Sequence, residues 1–223
     1  DNLSTMKKHF LLLMTIIFVC SCTQRKQLGY TKNGIQGYTH FKNNEPINIQ
    51  TISEDEYHSL RKQYIDLSLD TLSLVKERND SVYPPLDDGS CLELRNNTSE
   101  NHIDDYIKYN YLGFLDHFNV YVLKVIRFSN EETWFVNKSN SNIIKTLPYY
   151  CASNQHIVSY DMPDSDRYNG IEIFRWSENG LQKTDSLKPN WFVKNIFCLC
   201  ENIFIVEALT FNSEDLFLKI VLQ

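Results

Sequence analysis

Three aspartates form the densest group of potential metal ligands in this chain. Asp161, Asp164 and Asp166 are followed by Asn169 and Gly170. Calcium takes several oxygen ligands from one loop, so this segment is a candidate calcium site. The spacing lacks the alternating ligand positions and the closing glutamate of known calcium loops. A solvated loop between strands is therefore the favoured interpretation, and we expect no metal and no other cofactor.

The other residues with catalytic potential form no known motif. Ser153 has no GxSxG sequence around it, and the chain contains no GxGxxG or GxxxxGK[ST] loop for phosphate. The histidines beyond the amino-terminal leader are scattered and lack HExxH spacing: His40, His58, His102, His117 and His156. A catalytic site would need residues from distant loops to converge, so a non-catalytic protein is the expectation.

Four cysteines remain beyond the leader, namely Cys91, Cys151, Cys198 and Cys200. Cys198 and Cys200 are two residues apart in a strand-like segment, which puts both side chains on one face and disfavours a bond between them. No histidine lies close enough in sequence to suggest a shared metal. Buried free thiols are the favoured interpretation, and a disulfide between Cys91 and Cys151 is the alternative.

The amino-terminal segment has the features of a secretory signal peptide. Lys7 and Lys8 precede an apolar run at residues 10–19, which is shorter than the roughly 20 residues that a membrane-spanning helix needs. The run leads into the sequence VCSC at residues 19–22, which resembles a bacterial lipobox. This motif predicts cleavage before Cys22 and attachment of a diacylglycerol to its sulfur. A plain signal peptide with incidental cysteines is the alternative.

These features predict the organisation of the chain. Met6 is interpreted as the start of translation, and residues 1–21 as a signal peptide of the lipoprotein type. Residues 22–45 read as a polar tether and residues 46–223 as a single domain. The absence of an acidic residue beside Cys22 favours the outer membrane as the site of the lipid-anchored protein, so the expected location is the cell envelope.

The charge balance limits the range of partners. Lys and Arg number 22 against 28 Asp and Glu, which gives a net charge of −6. Binding to nucleic acid depends on clustered basic residues, so a nucleic-acid partner is not expected. The thirteen Tyr and thirteen Phe, with only seven Gly, are typical of a well-packed aromatic β core.

Most of the domain has the pattern of short antiparallel strands separated by polar turns. The predicted strands are 46–52, 91–95, 107–114, 120–128, 132–138, 142–147, 156–161, 170–176, 181–186, 194–199, 203–210 and 215–221. Residues 82–89 are predicted to be turn and loop, and residues 67–80 fit either helix or strand. Asn179-Gly180 is the strongest hairpin turn, because both residues tolerate positive φ.

One short helix is predicted near the start of the domain. Ser53 and Glu56 match a capping box, in which the serine hydroxyl accepts a hydrogen bond from a backbone amide of the first turn. The apolar side chains of Tyr57, Leu60, Tyr64 and Leu67 then recur at spacings of three and four, which places them on one helix face.

A family resemblance follows from residues 150–160, YCASNQHIVSY. They resemble the Ser-Pro-Asp-Gly segment of TolB-like β-propeller repeats, with the turn at Ser153, Asn154 and Gln155. Residues 109–191 as a whole resemble small lipoproteins of the Bacteroidetes type that carry such repeats. The resemblance implies a β fold and an envelope setting, and it transfers no catalytic residue.

The expected fold is therefore mainly β, an antiparallel meander of propeller-like hairpins or blades with one short amino-terminal helix. The predicted strands are too few for the four or more blades of a closed propeller. An incomplete stack of blades and a β-sandwich both remain as interpretations.

Aromatic residues could line a ligand groove or fill the core. Core packing is the favoured interpretation for a stripe along the first long strand, consisting of Tyr106, Tyr109, Tyr111, Phe114 and Phe118. The same holds for Trp134, Trp176 and Trp191.

Three functions fit these observations. The favoured one is a lipid-anchored envelope module that binds a protein or glycan without catalysing a reaction. The second is an immunity-type or inhibitor lipoprotein, since the acidic balance suits a basic partner. The third is an envelope hydrolase with a site assembled from distant loops.

The lipobox generates a direct prediction. Replacing Cys22 with Ala should release the protein from the membrane into the soluble periplasmic fraction, because the acyl chains of Cys22 would be the only hydrophobic anchor after cleavage. Fractionation followed by immunoblotting measures this. Continued membrane association of the variant would contradict the lipoprotein interpretation.

Overall fold

The computed structural model describes residues 47–64, 67, 69–71, 75–99, 105–162, 170–177 and 180–222, together with the backbone of residues 30–31, 34–35 and 37–39. In chain order the elements are β1 (Tyr30–Thr31), β2 (Gly34–Ile35), β3 (Gly37–Thr39), β4 (Ile47–Thr51), α1 (Glu54–Arg61), β5 (Lys76–Arg78), β6 (Ser81–Tyr83), β7 (Leu94–Arg95), β8 (Ile107–Leu115), β9 (Val120–Arg127), β10 (Glu131–Asn137), β11 (Ile143–Thr146), β12 (Tyr149–Ala152), β13 (His156–Tyr160), β14 (Ile171–Ser177), β15 (Gly180–Leu187), β16 (Phe192–Cys200), β17 (Ile203–Leu209) and β18 (Asp215–Val221).

Four antiparallel sheets make up most of this structure. The first sheet is β5–β6–β7, the second is β8–β9–β10–β11 and the third is β12–β13–β14–β15, each a simple meander. The fourth sheet has the order β16–β17–β18–β4–β3. A separate pair, β1–β2, lies in the amino-terminal segment. All pairings between named strands are antiparallel, as expected for strands joined by short turns.

The fourth sheet joins the two ends of the described chain. Strand β4 pairs with the carboxyl-terminal strand β18, with Ile49 opposite Ile220 and Thr51 opposite Leu218. Strand β3 continues the sheet beyond β4. It falls within residues 22–45, which the sequence predicts to be a polar tether.

The first sheet begins with a tight hairpin that the sequence pattern did not identify. Asn79 and Asp80 connect β5 to β6 and have φ values of 47° and 59°. Positive φ at both positions is the requirement of a two-residue type I′ turn, and Asn and Asp are among the residues that tolerate it best. The prediction of loop for residues 82–89 was wrong at its start, because Val82 is a buried strand residue.

The sheets stack face to face in chain order, and a hydrophobic cluster fills each interface. The first and second sheets share a cluster that includes Val82, Leu94, Tyr121 and Leu123. The second and third share one built from Val120, Val122, Phe135, Ile157 and Phe174. The third and fourth share the largest, whose members include Val158, Ile171, Trp191, Phe204 and Ile220.

Helix α1 covers the remaining face of the fourth sheet. Ile52 and Tyr57 pack there against Phe197 and Ile205. The helix begins where the capping box predicts, and the Ser53 hydroxyl accepts a hydrogen bond from the Glu56 amide at 3.2 Å. The predicted length was wrong. The helix ends at Arg61, so Tyr64 and Leu67 lie beyond it.

The predicted strands from residue 107 onwards are confirmed to within a few residues at each end. The exception is β12, which the sequence analysis did not identify as a strand, although the turn at residues 153–155 that follows it was predicted. The mainly β, antiparallel class is confirmed, with α1 as the single α-helix of the described residues and no closed barrel among their sheets. Stacked meanders are compatible with both the propeller-like and the sandwich interpretations.

Gly113 marks an irregularity that the second sheet depends on. The register between β8 and β9 shifts between Tyr111 and Gly113, and Gly113 has a φ of 153°. A Cβ at this position would lie 2.7 Å from the Cβ of Leu69 and 3.1 Å from the carbonyl oxygen of Asp70. The Asp70 backbone exchanges two hydrogen bonds with Phe114, at 2.9 and 3.0 Å, so the neighbouring segment has little freedom to move.

Replacing Gly113 with Ala should therefore destabilise the protein by about 2–4 kcal/mol, from backbone strain together with the steric overlap. Gly89→Ala is the matched control, since Gly89 also has positive φ (82°) but open space around its Cβ position. That control should lose about 1 kcal/mol. Urea unfolding curves measure both, and equal losses would contradict the role given to the close contact.

Candidate functional site

A cavity of about 520 Å³ lies where the second, third and fourth sheets meet. We call it the three-sheet cavity. An edge strand of each of these sheets contributes to its wall, through Leu112 of β8, Tyr150 to Ala152 of β12, and Asn195 to Cys198 of β16. Its volume is within the 300–1,000 Å³ range typical of small-molecule sites.

The remaining wall comes from β13 and from the chain around the end of α1. Tyr160 of β13 contributes one aromatic ring. Arg61, the last residue of α1, and the residues that follow it, Tyr64, Leu67 and Leu69, complete the described lining. Tyr64 is 52% exposed and packs edge-on against Phe197, with ring centroids 6.1 Å apart. Arg61 and Tyr64 are thus the solvent-exposed part of the lining.

Polar and apolar groups share the cavity wall, and one of its polar contacts joins Tyr160 to Asn195. The Tyr160 hydroxyl donates a hydrogen bond to Asn195 Oδ1 at 3.0 Å. Burial raises the pKa of Tyr160 to about 12, against an opposing hydrogen bond from the Ile196 backbone N–H. The phenol is therefore protonated at neutral pH. Its oxygen accepts a hydrogen bond from the Ile196 amide, and its O–H donates one to Asn195 Oδ1.

Cys198 and Cys151 also line the cavity, and the Cys198 thiol is a weak candidate for nucleophilic chemistry. Burial raises the pKa of Cys198 to about 11, and the nearby Cys200 adds to this effect. A thiol with a raised pKa is protonated and poorly reactive at neutral pH. The Cys198 Sγ instead donates a hydrogen bond to the Cys200 carbonyl at 3.0 Å.

Arg61 reaches the cavity because α1 is fixed to the fourth sheet by a buried tyrosine. Tyr57 is only 1% exposed, and its hydroxyl donates to Glu207 Oε2 at 2.6 Å. The ammonium of Lys194 contacts the other oxygen of Glu207 at 2.7 Å and Asp215 at 3.1 Å. This network spans β16, β17 and β18, so the end of α1 has a defined place beside the cavity mouth.

The same network shifts two pKa values. Burial, helped by the hydrogen bond to Glu207, raises the pKa of Tyr57 to about 12. Burial alone would raise the pKa of Glu207, but Lys194 and the Tyr57 hydroxyl outweigh it and hold that pKa below its ordinary value. The folded state thus favours the carboxylate form of Glu207.

Of the three aspartates proposed from sequence as weak metal candidates, only Asp161 lies within the described structure. Asp161 is buried at the end of β13, whereas Asp164 and Asp166 lie outside the described residues. No group of three His, Cys, Asp or Glu side chains suited to a metal ion occurs in the part of the chain that the structure describes. Cys22 also lies outside it.

The cysteines only partly match their prediction. All four beyond the leader are free thiols, so no bond joins Cys91 to Cys151. The prediction that they are buried was wrong for three of them: Cys91 is exposed, and Cys151 and Cys200 are half-buried. A register shift between Cys198 and Cys200 interrupts the alternation on which the common-face argument depended.

Ser153 and His156 have structural partners at the turn between β12 and β13. The Ser153 hydroxyl donates to the Glu201 carbonyl at 2.7 Å and accepts from the His156 amide at 3.0 Å. The His156 Nδ1 lies 3.0 Å from the same Glu201 carbonyl. His58 and His117 are exposed, and His40 and His102 lie outside the described residues.

The aromatic stripe of β8 packs mainly against the core, as predicted. Tyr109 and Tyr111 contact the cluster between the first and second sheets, and Phe114 belongs to it. Phe118 is fully buried in the next cluster, and Tyr106 is half-buried. Trp134 and Trp191 are buried and Trp176 packs against Phe118, with ring centroids 5.7 Å apart.

Comparison with known proteins adds no relative. No family model, no curated protein and no solved structure matches this chain. Within the described residues, no helix has the length and apolarity required to cross a membrane.

The Tyr57–Glu207 bond generates a pH-dependent prediction. Tyr57→Phe should cost about 1–2 kcal/mol of stability at neutral pH, because the half-buried carboxylate of Glu207 loses a donor. The pKa of Glu207 is lower in the folded protein than in the unfolded chain. The ionised Glu207 therefore stabilises the fold above its unfolded pKa, and this stabilisation is lost as the pH falls through the folded pKa. The penalty of Tyr57→Phe should therefore shrink at acidic pH, which urea unfolding at neutral and acidic pH measures.

Tyr83→Phe is the matched control for Tyr57→Phe, since the Tyr83 hydroxyl bonds Glu93 at 3.1 Å in an exposed setting. It should cost less than about 0.5 kcal/mol at any pH. A penalty for Tyr57→Phe that does not vary with pH would contradict the coupling to Glu207.

Proposed function

We propose that this chain is a non-catalytic binding module of the cell envelope, anchored through lipid on Cys22, which takes a small ligand into the three-sheet cavity. The observation that carries the proposal is the convergence of three edge strands and the end of α1 on one cavity. These segments are far apart in sequence, and their shared feature is that they border this space.

The character of the lining supports binding. Small-molecule sites are mainly apolar and contain a few polar groups that orient the ligand. Leu112, Ala152 and Ile196 are apolar parts of the wall, whereas Arg61 and Asn195 are polar. This combination suits a ligand with an apolar body and a limited number of hydrogen-bonding atoms.

The same lining gives less support to the hydrolase alternative. A general acid or base would have to come from a His, Asp or Glu within reach of the substrate. The described lining of the three-sheet cavity includes none of these residue types.

The proposal also includes an outer-membrane location and a relationship to TolB-like lipoproteins. These two parts of it rest on the sequence of the leader and of residues 150–160.

An inhibitor-type function is the second candidate, favoured by exposed apolar side chains at one end of the sheets. The β8–β9, β12–β13 and β16–β17 turns lie together at one end of the sheets. Ser153 and Gln155 bond Glu201, and Phe118 packs on Trp176. The β9–β10, β13–β14 and β17–β18 turns are therefore at the opposite end. Each carries an exposed apolar residue: Phe128 (68% exposed), Met162 (38%) and Phe211 (67%).

The proposed function predicts that a ligand co-purifies with the protein and depends on the cavity. Leu112→Trp should fill the cavity and abolish a bound mass seen by native mass spectrometry of protein isolated from envelope membranes. Lys108→Trp, at an exposed position of the same strand, is the matched control and should retain it.

The absence of any cavity-dependent mass from the wild-type protein would contradict the proposal. The inhibitor alternative predicts a different result: a protein partner that is lost on replacing Phe128 and Phe211 with Ser and is unaffected by Leu112→Trp.

A further inference from the structure

We propose that the three-sheet cavity selects an apolar small molecule carrying a single carboxylate, with Arg61 and Asn195 as the groups that bind the carboxylate. This inference rests on the proposed function, since it names the ligand class of the same cavity. It follows from the charge of the lining, from the unused donors on it and from the apolar remainder of the wall.

The described part of the cavity lining carries a charge opposite to that of the chain as a whole. The chain carries a net charge of −6, yet the described lining contains no Asp or Glu and one cation, Arg61. Tyr160 and Cys198 carry no charge at neutral pH, and burial raises both pKa values further. An anion entering the cavity therefore meets one positive charge, and no carboxylate of the described lining repels it.

Arg61 is available to a ligand. Its guanidinium makes no ion pair with any of the described residues, and the nearest carboxylate that its charge influences, Glu207, already has two close partners in Tyr57 and Lys194. An arginine offers a planar set of N–H donors that matches the two oxygens of a carboxylate. The exposed position at the cavity mouth leaves this set open to solvent and to an incoming ligand.

Asn195 supplies the second donor group. Its Oδ1 accepts from the Tyr160 hydroxyl, and that hydroxyl accepts from the Ile196 amide, which fixes the orientation of the side-chain amide. The Nδ2 group has no partner within the described structure. A half-buried amide nitrogen with two unused hydrogens stabilises an acceptor atom of a ligand.

The rest of the lining determines the body of the ligand. Leu67, Leu69, Leu112, Ile196 and Phe197 surround the space with apolar side chains, and Tyr64, Tyr150 and Tyr160 add aromatic rings. These side chains stabilise apolar surface of a ligand that is removed from water. A hydrophobic acid satisfies both parts of the cavity.

Two pairs of probes test this assignment, each an acid and the alcohol that lacks its charge. They are 2-naphthoate with 2-naphthylmethanol, and dodecanoate with dodecanol below its solubility limit. Isothermal titration calorimetry on the full chain carrying Cys22→Ala should detect an acid that binds at least about tenfold more tightly than its alcohol, since one charge-assisted hydrogen bond to a partly exposed arginine accounts for such a ratio. Arg61→Gln should remove that preference without weakening the alcohol. The control Arg95→Gln, an exposed arginine of the first sheet, should leave both affinities unchanged.

Equal binding of acid and alcohol, or an acid preference that survives Arg61→Gln, would overturn the assignment of a carboxylate ligand. Failure of all four probes to bind would overturn it as well. If a cavity-dependent mass nevertheless co-purifies with the protein, the proposed binding function stands and only the ligand class is wrong. If neither a co-purifying mass nor a bound probe is found, both are wrong.

Discussion

Burial of both faces of the middle sheets is the constraint on which this structure depends. The second sheet packs against the first on one face and against the third on the other, and the third sheet is enclosed in the same way. Strand β9 illustrates the consequence. Val120 and Val122 belong to one cluster and Tyr121 and Leu123 to the next, so the strand reads as an apolar run with no polar face. A sheet of this kind is unstable alone, because each face needs a neighbour to exclude water.

The outer face of the fourth sheet is covered by the first elements of the domain. On the fourth sheet, β4 joins β18 and the chain then continues into α1, which covers the outer face. The first elements of the domain are thus held by its last strand. This pairing of distant segments also carries Arg61 to the cavity, since the capped helix, the Tyr57–Glu207 bond and the Lys194 ion pairs determine where α1 ends. Stability of the fourth sheet and geometry of the candidate site depend on the same contacts.

The chemistry of the cavity depends on which residues the fold places in its wall more than on the overall composition of the chain. An acidic chain would be expected to repel anions, but its carboxylates are absent from the described lining, and Tyr160 and Cys198 there carry no charge at neutral pH. One arginine can then dominate the local potential, because it is near the ligand and few other charges are. In the proposed complex, apolar side chains such as Leu112, Ala152 and Ile196 would supply the rest of the affinity. The proposed ligand class follows from this combination of an apolar wall and one cation.

Local sequence patterns determined much of the secondary structure. The alternation and turn residues from 107 onwards predicted nearly all of the long strands, and the capping box at Ser53 predicted the start of α1, because these features depend on neighbours within a few residues. The same patterns overestimated α1, since Tyr64 and Leu67 keep helical spacing but pack beside the cavity after the helix has ended. They also did not reveal β12 or the hairpin at Asn79 and Asp80, where the strands are only three or four residues long. The cavity itself was beyond sequence reasoning. Its walls come from five separate segments, and only the stacking of the sheets brings Arg61, Tyr160 and Asn195 to one place.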